Sequence, residues 1–186
     1  RDEHMLDTLL ALLQKHDDGA KAIVWAHNTH IGDYHATEMR EAGYVNLGGL
    51  AREKLGVENV RLVGFGTYQG KVLAGRAWDA KPEIMNLPSA EPGSYEDYFH
   101  RVAEQVGISE FSLPLKDIPS LSVRKGHRAV GVVYQSIFDQ HGKNYVPTEL
   151  SKRYDAFVFI DKTTALNAFP RTREIGLLPE TWPSGI

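Results

Sequence analysis

The chain gathers its most reactive side chains in one short stretch, Trp25-Ala26-His27-Asn28-Thr29-His30-Ile31-Gly32-Asp33-Tyr34-His35. Imidazole exchanges protons near neutral pH, so two histidines three positions apart suit acid–base work. The same rings, with the Asn28 amide between them, offer hydrogen-bond donors to an anionic intermediate. Three uses fit the spacing. In one, His27 and His30 do acid–base or electrostatic work in a hydrolytic site. In another, His27, His30 and His35 hold a metal with Asp33 or Glu38, although H-x-x-H on a loop is a weaker metal signature than a helical H-E-x-x-H. In the third, one histidine is a satisfied buried side chain and the others are solvated.

The other polar motifs carry less. Gly64-Phe65-Gly66-Thr67-Tyr68-Gln69-Gly70-Lys71 fails as a phosphate loop, because Phe65 stands where glycine is required and Val72 where serine or threonine is required. It reads as a hairpin turn. No G-x-S-x-G elbow is present and there is no cysteine, so an enzyme built on this chain would most simply activate water. Glu91, Glu96 and Asp97 surround a helix start, where carboxylates are favoured by the helix dipole. His100 and His127 have no polar cluster around them in the sequence. Tyr134, Tyr145 and Tyr154 read as packing residues with satisfied hydroxyls.

The elements that position the cluster follow from periodicity. Apolar residues at helical spacing predict an amphipathic helix over 2–16. The run 21–27 reads as a buried strand of the parallel-sheet kind, which places His27 at a strand end, where α/β ligand sites gather. A loop over 28–45 holds a helical turn near 36–41, and a helix over 47–55 stops at Gly56. Strands at 60–66 and 72–78 pair as a hairpin, and 79–93 is a connecting loop. Ser94 caps a helix over 95–106. Strands follow at 110–115, 128–134 and 155–160, with a loop at 139–147 and a helical turn at 147–152 between the last two. The tail beyond Asp161, with Pro170, Pro179 and Pro183, is expected to wrap the surface. This alternation predicts an α/β fold: three layers, a largely parallel sheet flanked by helices, and a hairpin edge.

Composition narrows the partners. The chain has 186 residues, a length that fits one domain, with 42% hydrophobic and 24% charged residues, as globular proteins have. Twenty-one basic against 24 acidic residues give a net charge of −3 with no basic stripe, which argues against nucleic acid. No apolar run reaches the roughly 20 residues of a membrane helix. Asp2, Glu3 and Asp7 interrupt any signal-peptide pattern. The absence of cysteine fits a cytoplasmic location. The chain opens on Arg1 rather than methionine, so position 1 is not expected to be the biological start.

Several segments together resemble the second half of the erythromycin esterase family. They are Arg1-Asp2-Glu3-His4-Met5, Trp25-Ala26-His27-Asn28-Thr29-His30, Leu47-Gly48-Gly49-Leu50-Ala51-Arg52-Glu53, Pro92-Gly93-Ser94-Tyr95-Glu96, Asn144-Tyr145-Val146-Pro147-Thr148, Arg153-Tyr154-Asp155-Ala156 and Ile160-Asp161. They stand in family order, and W-A-H-N-x-H is the most specific. The resemblance implies a metal-independent hydrolase of esters or lactones with no cofactor, acting through activated water; resistance members open macrolide lactones. It implies that His27, His30 and Arg1 belong to the catalytic set. Asn28, Asp33 and His35 are expected on the substrate side. The family's proposed base lies in a G-E-x-x-H type segment of an N-terminal half, and no such segment occurs here. Residues 1–186 are therefore expected to form the C-terminal portion of the domain. An exposed apolar face would then be covered by the N-terminal half or by a homo-oligomer mate. The alternative is a non-catalytic module that binds a ligand or metal through the cluster at residues 27–35.

Overall fold

A computed structural model describes residues 1–16, 19–139 and 142–167. Its central sheet has four strands in the order β2-β1-β6-β3. These are β1 (Val63–Ala74), β2 (Glu83–Leu87), β3 (Glu110–Pro114) and β6 (Ala156–Thr163). β1 and β6 run parallel, from Val63 opposite Ala156 to Gly70 opposite Thr163. β2 and β3 flank them antiparallel. A second sheet pairs β4 (Lys125–Arg128) with β5 (Tyr145–Thr148).

Period-two alternation decides which face of the sheet is buried. Phe157 and Phe159 of β6 are fully buried and meet Phe99 of helix α4 (Tyr95–Val106), with ring centroids 5.4 and 5.7 Å apart. Each such aromatic contributes about 1.5–3 kcal/mol through burial. Tyr95, Phe99 and Ala103, four residues apart, form the buried stripe of α4. Ser94 caps its start by accepting the Asp97 N–H, and Gly107 ends it in the left-handed conformation. Helix α1 (Asp2–Gln14) packs on α3 (Leu47–Leu55) through Leu6, Leu47 and Ala51. Short helices α2 (Asn28–Ile31), α5 (Ser136–Asp139) and α6 (Leu150–Arg153) complete the described chain.

The α/β class, the flanking helices and the hairpin edge agree with the sequence reading. Parallel pairing is confined to β1 and β6, so the sheet is mixed rather than largely parallel. Several local expectations also need correction. Residues 21–27 form no strand and join no ladder, and Ile23 and Trp25 are 94% and 86% exposed. A buried parallel strand needs cover on both faces, and nothing among the described residues supplies it there. The hairpin does not turn at 66–70. β1 runs straight through, because Gly70 (φ 136°) closes the β6 ladder opposite Thr163 and opens the β2 ladder opposite Leu87. A Cβ at Gly70 would stand 2.6 Å from Thr163 N. The turn lies after Ala74, with Asp79 at φ 61°, and β2 occupies part of the expected loop 79–93.

Only Arg128 of the expected strand 128–134 joins a ladder. The run beyond it is irregular, with one bridge from Val133 to Gly75, because its apolar Val130 packs beside Leu87 and Tyr134 instead. Its partner β5 lies within the expected loop and turn, and α6 follows directly. Near the helical turn expected at 36–41, a short 3-10 turn forms at Tyr34–Ala36, where Asp33 accepts the His35 N–H, and hydrogen-bonded turns follow over 38–43, with the Ala42 N–H donating to Glu38 O at 3.1 Å. The tail from residue 168 onward lies outside the described residues. Among the described residues no helix is long and apolar enough to cross a membrane.

Candidate active site

The W-A-H-N-x-H segment turns sharply at His27. The His27 backbone is extended, and its Nδ1 accepts the Thr29 N–H, which starts α2. Its Nε2–H donates to Val130 O at 2.8 Å, and its Nδ1 lies 2.9 Å from the Thr29 hydroxyl. Both ring nitrogens are therefore committed to the protein. One side of the residue stays open to solvent. Even so, the pKa of His27 is lowered, chiefly by burial of the ring; the Val130 bond opposes the shift, and the electrostatic influence of His30, His127 and Arg153 adds to it.

His30 is held differently. Its Nδ1 lies 2.7 Å from Asp2 Oδ1, and its side chain is 26% exposed. Nε2 makes no hydrogen bond among the described residues. Asp2, the first residue of α1, also accepts the Leu47 N–H at 3.2 Å, which joins the starts of α1 and α3 behind the histidine. A carboxylate that fixes one imidazole nitrogen leaves the other available to exchange a proton, an arrangement that suits a general base. Arg1 precedes it, exposed, with no side-chain hydrogen bond at the start of α1.

Asn28 grips the free edge of β1. Its Nδ2 donates to Phe65 O at 2.5 Å, and the Phe65 N–H donates to its Oδ1 at 3.1 Å. The side-chain amide thus takes the place of a neighbouring strand. The irregular segment 20–26 runs past this edge, with the Trp25 ring 5.8 Å from that of Phe65. Between them lies a groove of about 1620 Å³, reached by His27 and Asn28 and walled by Leu13, Trp25, Ala51 and Phe65. Val63 and Phe65, 40% and 41% exposed, face outward from β1 here. His30 is not part of the groove wall.

Asp33 and His35 belong to a separate network. Asp33 accepts from Arg52 Nη1 at 3.0 Å and pairs with His35 Nδ1 at 2.8 Å, while Arg52 Nη2 donates to Asp155 at 2.8 Å. His35 Nε2 lies 3.1 Å from Glu53. Burial alone would raise the Asp33 carboxyl. Hydrogen bonds from Arg52 and His35 outweigh it and hold the group below the ordinary carboxylate range. A carboxyl held low in the fold binds fewer protons than the unfolded chain. Its stabilisation is therefore complete above about pH 3.9 and is lost as pH falls through the lowered folded value. Asp33→Asn is expected to be less stable at pH 7 and to lose less on acidification than the parent. Urea midpoints at pH 7 and pH 3 check this.

Two further imidazole–carboxylate pairs lie outside the H-N-x-H segment, and the first of them reaches Asn28. Glu96, with no solvent exposure, accepts from His127 Nδ1 at 2.6 Å and from the Arg128 N–H at 3.2 Å. His100 pairs with Asp161 at 2.6 Å and stacks on Tyr68 with centroids 3.6 Å apart. Glu96 and His127 are 31 positions apart, so no local signal joins them. Asp2 was legible only as part of the R-D-x-x-M segment. Among the described residues no three metal-ligating side chains converge.

The comparisons fit this architecture. The chain matches the erythromycin esterase family model over residues 1–163 and belongs to that family. A solved succinoglycan biosynthesis protein is similar with a TM-score of 0.65 at 20% identity, over 88% of this chain and 38% of that one. A Bacillus cereus protein is similar with a TM-score of 0.65 at 21% identity, over the same shares. A mutant of the erythromycin esterase EreC in its open conformation is similar with a TM-score of 0.59 at 18% identity, over 87% of this chain and 36% of that one. The chain thus spans under two-fifths of the length of each.

Proposed function

We propose that this chain carries the histidine-bearing part of a hydrolase that cleaves carboxylic esters or lactones with activated water. The observation that carries the reading is the Asp2–His30 pair, with its unpartnered Nε2, in a chain of the erythromycin esterase family. His30 Nε2 takes a proton from water as the water oxygen bonds to the acyl carbon. The tetrahedral intermediate collapses, the acyl carbon–oxygen bond breaks, and the proton passes from His30 to the leaving alkoxide. An acid and an alcohol leave. Arg1, beside Asp2, steadies the developing oxyanion or the carboxylate product.

His27 and Asn28 shape the turn and line the groove, while Asp33 and His35 brace it through Arg52. The groove takes the apolar body of the substrate, a class that includes macrolide lactones. Another polypeptide, the rest of a longer chain or a second copy, closes its exposed side. The reading is tested on the assembly defined by sedimentation, with a series of esters of increasing apolar size. Acid release that rises with apolar size supports it. No release, together with stoichiometric zinc binding by calorimetry, contradicts it and favours a metal-binding module.

A further inference from the structure

Asn28 has to present its amide to the β1 edge in one sense only. Its Oδ1 accepts the Phe65 N–H, and its Nδ2 donates to Phe65 O. The opposite sense would set oxygen against oxygen and N–H against N–H. Phe65 favours this sense from the free edge of the sheet, where solvent can compete for both bonds. A second contact that selects the same sense lies on the buried side. His127 Nε2 stands 3.4 Å from Asn28 Nδ2 and 3.3 Å from the Tyr154 hydroxyl, in a ring that is 1% exposed.

A bare ring nitrogen there accepts the second N–H of the amide and repels its oxygen. Nε2 is bare because the ring proton is on Nδ1, where Glu96 Oε1 takes it at 2.6 Å. Glu96 in turn fits against the sheet because Gly66 lacks a side chain. A Cβ on Gly66 would approach Glu96 Oε1 to 3.2 Å and Phe157 Cζ to 2.7 Å. Arg153 Nη2 adds a bond to the Asn28 carbonyl at 3.3 Å, so the first residue of α2 is held at both its amide and its backbone.

We infer that Glu96 and His127 are a buried positioning pair: Glu96 fixes the His127 tautomer, His127 together with Phe65 holds the sense of the Asn28 amide, and Asn28 fixes the turn that carries His27 and His30. Neither residue touches substrate. The effect on turnover rests on the hydrolase reading, whereas the effect on Asn28 does not.

The Phe65 amide reports on Asn28, since its N–H donates to Asn28 Oδ1. His127→Asn keeps a donor for Glu96 at the Nδ1 position and loses the atom that faces Asn28. His127→Gln returns a polar atom near the Nε2 position. Hydrogen exchange followed by NMR on the full chain is expected to speed up about tenfold at Phe65 in H127N, the scale of one hydrogen bond. Amides of the β1–β6 ladder should keep their parent rates, and H127Q should restore Phe65. If the protein hydrolyses esters, H127N should lower kcat about 10- to 100-fold with KM unchanged, the scale of a small misplacement of catalytic groups.

A folded H127N in which Phe65 exchanges at the parent rate overturns the inference, whatever the esterase assay gives. An absence of ester hydrolysis in the parent overturns the hydrolase reading and leaves the exchange result to decide this one. The parent protein provides a check that needs no variant. Ring nitrogen shifts should show His127 protonated at Nδ1 and bare at Nε2, and a proton on Nε2 would overturn the inference even if H127N fails to fold.

Discussion

His30→Ala should lower ester turnover by about 10²- to 10⁴-fold, the scale of losing a general base. KM should change little, because the apolar groove that would hold the substrate body is walled by other residues. The expectation rests on a contrast between the two histidines of the H-x-x-H pair. His27 donates to Val130 O and accepts from Thr29, so neither of its nitrogens is free for water. His30 is oriented by Asp2 and keeps Nε2 unpartnered among the described residues. Asp2→Asn should reproduce much of the loss, since an amide can offer its N–H to the ring and reverse which nitrogen is bare. His27→Ala should act by a different route, by removing the cap that starts α2, and should lower stability along with activity. Equal turnover in His30→Ala and the parent, measured by steady-state acid release, would remove His30 from the mechanism.

Gly48→Ala should destabilise the protein by about 3 kcal/mol or more, the upper range for overpacking a core. Gly48 is the second residue of α3 and is buried against the end of α2. A Cβ there would overlap the carbonyl oxygens of Ile31 and Gly32, coming within 2.5 Å of the latter. Both are backbone atoms, so no rotamer relieves the overlap and the two helices must separate. That separation would stretch the bond from Asn46 to Thr29 O and the bond from Leu47 N to Asp2. The expected result is therefore a joint loss of stability and of the Asp2–His30 geometry. Gly131→Ala is the control, since a Cβ there meets nothing within 4 Å. Urea denaturation of the two variants beside the parent checks the difference, and a Gly48→Ala midpoint equal to that of Gly131→Ala would contradict the packing argument.

The elements that announce themselves locally were legible in the sequence. Helix α4 has a serine cap, an apolar stripe of three residues at four-residue spacing and a terminal glycine, and all three signals lie in or next to its own span. Helix α3 is framed in the same way by Asn46 and Gly56. Elements fixed by distant partners were not legible. The run 21–27 has the composition of a buried strand, but composition cannot supply a ladder or a cover. Gly70 looks like a turn glycine and acts as a junction between two ladders, which depends on Leu87 and Thr163.

The site divides along the same line. His27, Asn28 and His30 stand together in sequence and remain together in space. What tells them apart comes from far away: Asp2 reaches His30 across 28 positions, and Val130 reaches His27 across 103. Glu96 looked like an ordinary first-turn carboxylate. Ser94 and Asp97 already serve the α4 start, and Glu96 is turned inward to His127.

The central claim is that water, activated at His30, attacks the acyl carbon of an ester. Hydrolysis in ¹⁸O-labelled water tests it most directly, with mass analysis of both products. The account predicts one ¹⁸O in the acid, none in the alcohol, and no labelled product from His30→Ala. Label in the alcohol, or labelled acid formed at the parent rate by His30→Ala, would contradict it.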